Sequence, residues 1–481
     1  MKKKLLPALI VTGLIILVVI IMGITALINK YTPTKKTEDL KEYFNISSDD
    51  EAALIVDNEL SDYKAKIIDK KIYVDYKFVH DSLNSRFYWD ANENVLLYTT
   101  ASDIISAAAD SNSYSVTKQT NDFGYPIVKA TSDSALIALD YVKQYSNITF
   151  KSYDDPARIV ITSKWDEIDS ATVSKSTQVR VKGGIKSPIL KEVKKDDKIT
   201  ILDSGDKWDK IATEDGVIGY IKGKALSESK KTKLTNPDYE EETFTHIKKD
   251  KDICLAWNQV TSQSANSKVP QVISSTKGIN VMSPTWFYLN DNNGNLADIA
   301  SKDYVSYCHS QGIEVWGLFS NFENTDVDAA YVLTHTSTRT TLINQIMSAA
   351  FNYELDGVNI DFENITEAAY GDSYIEFIRE LAIKCHNNGI SLSVDVTVPA
   401  SFNKFFNRSD MANFADYIVI MGYDEHYKGS DAGSVSSIPW VTEGVESTLK
   451  EVPADQIILG MPFYTRIWEL TPKEDDDAVT D

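Results

Sequence analysis

The sequence predicts a multidomain protein whose carboxyl-terminal half is a parallel α/β barrel. From about residue 245 onward, strand-like and helical stretches alternate along the chain. Short strands separated by turn residues occupy residues 173–226, and an uncharged apolar run occupies residues 5–28. A chain of 481 residues has room for these parts, because a domain typically takes about 100–200 residues.

The composition excludes several classes of protein. Hydrophobic residues make up 43% of the chain, as expected for a protein with buried cores, so disorder of the whole chain is excluded. The formal net charge of −21 argues against nucleic acid as a partner, since phosphate binding needs a basic surface. Three cysteines cannot form a disulfide framework, and without a CxxC or HExxH motif no metal site is expected.

The first 40 residues predict a membrane segment and a linker. Lysines occupy positions 2–4, and the 24 residues of the run 5–28 would form a helix about 36 Å long, enough to cross a membrane. Residues 1–30 are therefore interpreted as a cytoplasmic tail and an uncleaved signal anchor, with a cleaved signal peptide as the alternative. The leading lysines favour a cytoplasmic start, which would place the main body outside the cell. Residues 31–40 are a polar linker.

Seven stretches of the carboxyl-terminal half have the character of strands. Helical stretches lie between most of them, as in residues 340–353 and 373–388. This order predicts a TIM-type (β/α)8 barrel over residues 245–481. An eighth strand is not found, so the barrel is expected to be incomplete at its carboxyl end. The seven strand-like stretches are 253–257, 279–289, 314–321, 357–363, 391–399, 416–423 and 456–464.

The fourth of these stretches carries polar residues at alternate positions. Residues 356–363 are Asp-Gly-Val-Asn-Ile-Asp-Phe-Glu. Because side chains alternate faces along a strand, Asn359, Asp361 and Glu363 should point into the barrel. Barrel enzymes place catalytic groups at this end of their strands, and an ionised Asp361 would raise the pKa of Glu363. The alternative is a buried ion pair or a helix cap.

The segment resembles the glycoside hydrolase family 18 signature DGxDxDxE, with Asn359 where many members have Asp. Residues 421–424 (Met-Gly-Tyr-Asp) and 459–466 are similar to the family's sixth- and seventh-strand segments. The combination of domains most resembles the bacterial spore- and cell-wall branch. The resemblance implies hydrolysis of β-1,4 bonds next to N-acetylglucosamine in peptidoglycan, by a substrate-assisted retaining mechanism without a metal or organic cofactor.

The same resemblance implies roles for individual residues. Glu363 would protonate the leaving oxygen and then activate water, and Asp361, supported by Asn359, would orient the substrate's acetamido group. Tyr423 would hydrogen-bond the acetamido carbonyl, and Asp424 would contact the sugar. For Tyr423 and Asp424 the alternative is packing at the strand end.

Trp286 and Arg466 are further candidates for substrate binding. An aromatic face suits a pyranose ring, but a tryptophan also suits a core, so core packing of Trp286 is an equal alternative. For Arg466 the alternative is a surface salt bridge.

Two smaller modules are predicted before the barrel. Residues 41–165 contain a faint duplication at an offset of about 63, in which each copy is a short helix followed by two strands, and they resemble the amino-terminal module of copper amine oxidases. Residues 170–228 resemble a bacterial SH3-like domain. Residues 229–244 are a polar linker.

The sequence leaves several functions open. The first is a membrane-anchored extracellular glycosidase that acts on peptidoglycan. The others are a chitinase-type hydrolase of another N-acetylated glycan, a non-catalytic wall-binding protein with a degenerate barrel, and a purely structural anchor. The expected partners are an N-acetylated glycan and, through residues 5–28, the cell membrane.

Overall fold

The computed structural model describes residues 2–363, 365 and 368–469. The chain divides into two compact units, one of residues 1–84 and 136–241 and the other of residues 85–135 and 242–481. This division differs from the sequence-based one, which places residues 85–135 within the module at 41–165. The boundaries of the SH3-like and duplicated modules stay predictions.

The chain begins with a long apolar helix, α1 (Lys2–Tyr31). Its segment Leu9–Tyr31 is long and apolar enough to cross a membrane, and it lies near the amino terminus. Its large apolar side chains, including Leu9, Ile16 and Ile28, are more than half exposed. The predicted apolar helix is therefore confirmed, and it fits either a signal anchor or a signal peptide.

The first unit contains two sheets. Strands β1 and β12 pair in parallel and the other neighbours pair antiparallel, in the order β11-β12-β1-β2-β3-β10. The elements of this part are α2 (Leu40–Tyr43), β1 (Glu51–Val56), β2 (Glu59–Ile68), β3 (Lys71–Asp75), α3 (Tyr76–Ser82), β10 (Ala135–Ala138), α4 (Leu139–Tyr145), β11 (Thr149–Tyr153) and β12 (Arg158–Thr162).

The second sheet of this unit is antiparallel, in the order β15-β14-β18-β17-β16-β13-β19. Its apolar face shares a core with the first sheet, since Ile55 of β1 packs in one cluster with Val179 and Ile211. Its strands are β13 (Glu167–Thr172), β14 (Thr177–Arg180), β15 (Ile189–Val193), β16 (Lys198–Asp203), β17 (Trp208–Thr213), β18 (Ile218–Lys222) and β19 (Lys230–Lys233).

The second unit begins with an antiparallel sheet of five strands in chain order, followed by the short strand β9 (Val128–Ala130). This sheet packs on the barrel helix Ala368–His386, because the Tyr88 hydroxyl lies 2.9 Å from Ser373 Oγ and Thr99 Oγ1 donates to Glu376 at 2.7 Å. The five strands are β4 (Phe87–Asp90), β5 (Val95–Thr99), β6 (Ile104–Ala108), β7 (Ser113–Val116) and β8 (Gln119–Asp122).

All seven predicted barrel strands are confirmed, and they lie side by side, parallel and in chain order. They are β20 (Leu255–Asn258), β21 (Val281–Leu289), β23 (Glu314–Ser320), β24 (Gly357–Asp361), β25 (Ser391–Thr397), β26 (Tyr417–Met421) and β27 (Ile457–Gly460); β22 (Leu296–Asp298) pairs antiparallel with β21.

Helices follow most of these strands and cover their outer face. The α-helices are α5 (Val269–Ser274), α6 (Lys302–Ser310), α7 (Ala329–Thr334), α8 (Thr336–Tyr353), α9 (Ala368–His386), α10 (Arg408–Phe414) and α11 (Ile438–Thr448). Short 3-10 helices cover Gly223–Ala225, Gln263–Lys268, Ser401–Phe406 and Ala454–Gln456.

The inner face of this sheet has an apolar floor at the amino ends of the strands. Trp316 stacks on Tyr417 with ring centroids 5.6 Å apart, and Val281 completes the cluster. Gly357 permits this packing, because a Cβ at that position would lie 2.6 Å from the Trp316 ring. Asn359 and Asp361 lie further along β24, above this floor and toward the carboxyl end of the strand.

Candidate active site

Strand β24 presents a polar row inward, as its alternation predicts. Val358 and Ile360 are fully buried in the helix-side core, and Phe362 is 1% exposed there. Asn359 is fully buried on the other face and Glu363 lies just past the last residue of the strand. These polar side chains therefore extend from the middle of β24 to the carboxyl end of the sheet.

Asn359 joins four strands through hydrogen bonds. Its Oδ1 accepts from Trp257 Nε1 on β20 and from Ser283 Oγ on β21, each at 3.0 Å. Its Nδ2 donates to Ser393 Oγ at 3.0 Å and to Asp395 Oδ1 at 2.8 Å, both on β25. Every polar atom of the amide is satisfied, so the side chain has one fixed orientation.

Asp361 and Glu363 both favour the protonated form more than free carboxyls do. Burial, followed by the neighbouring Glu363 and Glu323 carboxylates, raises the pKa of Asp361 to about 7. Burial, followed by Asp424 and Glu323, raises the pKa of Glu363. The raised pKa of Glu363 agrees with the sequence-based expectation, but burial, Asp424 and Glu323 cause it rather than an ionised Asp361.

The loop after β23 holds the backbone of the predicted acid. Asn321 Nδ2 donates to the Glu363 carbonyl at 2.8 Å, and the Glu363 amide donates to Asn321 Oδ1 at 2.9 Å. Glu323, in the same loop, accepts from Ser320 Oγ at 2.6 Å. The two hydrogen bonds with Asn321 hold the Glu363 backbone in place, although this residue lies outside the strand.

Tyr423 and Asp424 follow β26 at the same end of the sheet. The Tyr423 ring meets Trp257 edge-on at 6.2 Å, and burial, together with Asp395, raises the pKa of its hydroxyl. Asp424 has a positive φ of 63°, a left-handed turn conformation that aspartate adopts more readily than most residues other than glycine. Its carboxylate accepts from Tyr464 Oη at 2.6 Å and pairs with Arg466.

Trp286 does not join this group. It lies on the helix-side face of β21 with Met282, it is fully buried, and its Nε1 donates to Asn266 Oδ1 at 2.7 Å. Its ring meets Tyr304 edge-on at 4.8 Å. The predicted role of Trp286 in substrate binding is therefore corrected to core packing, since no face of its ring is accessible to a sugar.

The sequence-based predictions did not include Trp257, Ser283 and Asp395, which surround Asn359 and Asp361. Nor did they include Asn321 and Glu323 in the loop after β23. For Asp395 a signal was available: β25 has polar Ser391, Ser393 and Asp395 at alternate positions, as β24 does. For Trp257 and Ser283 no such pattern exists, because their part in the site depends on contacts across strands. Among the residues that the structure describes, no group of three or more His, Cys, Asp or Glu side chains is placed to hold a metal ion.

Residues 323–481 match the family described as glycosyl hydrolases family 18. This range includes Asp361, Glu363, Asp395 and Asp424. The match confirms the sequence-based prediction of a glycosyl hydrolase domain of this family. The SH3-like and copper-amine-oxidase-like resemblances stay predictions.

Curated proteins from Bacillus subtilis (strain 168) are similar to this chain over part of its length. One, named "uncharacterized glycosylase YvbX", is 25% identical over 194 residues, which cover 37% of this chain and 55% of that protein. Another, a cortical fragment-lytic enzyme, is 26% identical over 187 residues, which cover 37% of this chain and 43% of that protein. The chain thus spans about half the length of these relatives.

Solved structures include the spore cortex-lytic enzyme SleL of Bacillus cereus. It shares 20% sequence identity with this chain at a TM-score of 0.38, over 43% of this chain and 49% of that one.

Proposed function

Because residues 323–481 lie in a glycoside hydrolase family 18 domain, we propose that this protein is a membrane-anchored extracellular glycosidase. Its substrate in this proposal is peptidoglycan, in which it hydrolyses β-1,4 bonds next to N-acetylglucosamine. The curated relatives named as a glycosylase and a cortical fragment-lytic enzyme support a cell-wall glycan as the substrate class.

The main support for the proposal is the row of polar side chains that β24 and the residues after it direct into the barrel, namely Asn359, Asp361 and Glu363. A buried ion pair or a helix cap does not explain Asp361, because its buried Oδ1 has no hydrogen-bond partner among the described residues. Beside it, burial and nearby carboxylates raise the pKa of Glu363. A general acid, by contrast, needs a carboxyl group that keeps its proton near neutral pH. The raised pKa of Glu363 is a change in this direction, and the group lies at the carboxyl end of a barrel strand, where barrel enzymes carry out their chemistry.

The proposed mechanism uses the substrate's own acetamido group as the nucleophile. Glu363 donates its proton to the glycosidic oxygen as the bond to the anomeric carbon breaks, and the acetamido carbonyl oxygen closes on that carbon. Asp361 accepts a hydrogen bond from the acetamido N–H, and the Tyr423 hydroxyl donates to its carbonyl oxygen. Glu363, now ionised, removes a proton from water as the water opens the cyclic intermediate.

Helix α1 is proposed to remain as an uncleaved single-pass anchor. Its apolar segment Leu9–Tyr31 exceeds the apolar region of a typical cleaved signal peptide, which is about 7–15 residues long. Lysines at positions 2–4 favour a cytoplasmic amino end, so the two units would lie on the wall side of the membrane.

The test compares the full chain with Glu363→Gln in detergent or nanodiscs, using purified peptidoglycan. We expect the substitution to lower the release of reducing ends by about 1000-fold, because the amide cannot donate the proton, while binding to the glycan remains. The matched control is Glu443→Gln on α11, an exposed glutamate outside the site.

Three outcomes contradict the proposal. Equal release by the wild-type chain and Glu363→Gln removes the catalytic role of Glu363. Binding without release by the wild-type chain favours a wall-binding protein, and release from chitin oligosaccharides but not from peptidoglycan favours a chitinase-type enzyme.

A further inference from the structure

A second carboxylate lies beside Asp361 on the neighbouring strand. Strands β24 and β25 are parallel, with Asn359 opposite Ser393 and Ile360 opposite Val394. Asp361 and Asp395 occupy the next pair of positions, and adjacent strands are only about 4.8 Å apart. Both residues belong to the inward row of their strand.

The two carboxylates each leave one oxygen unsatisfied. Asp395 Oδ2 and Asp361 Oδ1 are buried and have no hydrogen-bond partner among the residues that the structure describes. Buried polar atoms nearly always have a partner, so two such oxygens from adjacent strands call for an explanation.

Asn359 determines which oxygen of Asp395 is available. The amide of Asn359 cannot turn over, because its Oδ1 accepts from Trp257 and Ser283. Its Nδ2 therefore donates to Asp395 Oδ1, which must act as an acceptor without a proton. A proton on Asp395 thus belongs on Oδ2, the unsatisfied oxygen.

We propose that Asp361 and Asp395 share one proton between Asp361 Oδ1 and Asp395 Oδ2, and that Asp395 takes this proton when substrate occupies the site. The inference rests on the proposed function for its catalytic part, and on the geometry alone for the shared proton. Two buried carboxylates side by side cannot both ionise at moderate cost, so one proton between them is the favoured state.

The proton transfer prepares Asp361 for its task. The O–H bond on Asp361 breaks as the O–H bond on Asp395 forms, so the pair carries one negative charge before and after. Asp361 is then the anion that accepts the acetamido N–H, and Asp395 acts through it as a positioning residue. Besides burial and Asp361, the Glu363 carboxyl raises the pKa of Asp395, and the Asn359 and Trp257 side chains lower it. Burial and then the Asp395 charge raise the pKa values of the Tyr374 and Tyr423 hydroxyls.

Asp395→Asn in the full chain tests this role. We expect kcat on soluble peptidoglycan fragments to fall by about 10- to 100-fold with little change in KM, as for other residues that support a reacting group. We also expect the ionisation of Asp361 to move to lower pH in the profile of kcat/KM, because its like-charged neighbour is gone.

A double variant separates the role of the carboxylate from general damage. Asn359→Asp combined with Asp395→Asn exchanges the amide and the carboxylate, and we expect it to recover about tenfold of the lost kcat, because Asp361 again has a carboxylate neighbour. The matched control is Asp416→Asn, a buried aspartate that accepts from the Leu392 and Ile247 amides. It should lower stability without moving the pH profile.

A spectroscopic measurement needs neither activity nor a variant that folds. Infrared difference spectra of wild-type protein with isotopically labelled aspartate should show one aspartic acid that is still protonated at about pH 6, well above the ordinary aspartate pKa of about 3.9. If no aspartic acid is protonated at that pH, or if Asp395→Asn keeps the wild-type kcat and pH profile, the inference is wrong. If the protonated aspartic acid is seen but wild-type protein hydrolyses no glycan, the shared proton stands and the proposed function fails.

Discussion

Helix α9 and strand β24 lie in the same unit and both carry buried carboxylates, but their electrostatic surroundings are opposite. On α9, Glu376 lies 2.9 Å from Arg379, and Glu380 lies 2.9 Å from Arg339. On β24, Asp361 has no Lys, Arg or His nitrogen within 4 Å among the residues that the structure describes. Its charged neighbours are other carboxylates.

We interpret the α9 carboxylates as groups that stabilise the fold, and the β24 carboxylates as groups that contact the substrate in the proposed function. The carboxylates on α9 are neutralised by arginines beside them. Glu376 also accepts a hydrogen bond from Thr99 of the five-stranded sheet. The β24 carboxylates have no such cation beside them among the described residues, and carboxyl groups with pKa values shifted by burial and like charges are concentrated at functional sites. The comparison predicts opposite effects on stability when a charge is removed from each place.

The largest effect on stability is expected for Arg379→Met. The substitution keeps most of the side-chain volume but leaves Glu376 and Asp410 buried without their cation, so the unit should lose about 3–5 kcal/mol of unfolding free energy. Denaturant unfolding followed by tryptophan fluorescence measures this loss. A loss below about 1 kcal/mol would show that the ion pairs of α9 do not hold the fold.

A gain of stability is expected for Asp361→Asn. The pKa of Asp361 is raised to about 7, so between its ordinary pKa and 7 the folded state binds more protons than the unfolded state. Stability then falls as the pH rises through this window, and an amide removes that loss. The variant should exceed the wild type by on the order of 2 kcal/mol at pH 8 and by much less at pH 5, while its hydrolytic activity is lost.

Unfolding curves at the two pH values check this prediction. A destabilised Asp361→Asn at pH 8 would mean that the carboxylate has a favourable partner and that the contrast with α9 is wrong.

The smallest effect is expected for Arg466→Met, the same chemical change as in Arg379→Met at an exposed pair. Arg466 and its partner Asp424 are about one-third and two-fifths exposed, so water already solvates both charges. The unfolding midpoint should stay unchanged, while KM for the glycan rises, since Asp424 loses the group that orients it. A lower unfolding midpoint for Arg466→Met would show that the exposed ion pair stabilises the fold as the buried pairs of α9 do.

The barrel and its polar row were predictable because both follow from periodicity. Alternation on β24 placed Asn359, Asp361 and Glu363 inside, and the same rule on β25 indicates Asp395. The same alternation on β21 puts Trp286 on the face of Met282, so its burial was accessible to the same argument. What local pattern cannot supply is contact across strands, such as Trp257 with Asn359, or the grouping of residues 85–135 with the barrel.

The five-stranded sheet has a consequence for dissecting the protein. Asp90 accepts from the Thr336 amide at the start of α8, Tyr88 lies under the Arg339 guanidinium at 5.0 Å, and Thr99 reaches Glu376. A catalytic fragment cut at residue 245 would leave all three partners behind and expose helix surfaces that are now covered. The smallest transferable catalytic piece is therefore discontinuous in sequence: gene fusions should carry residues 85–135 together with the barrel.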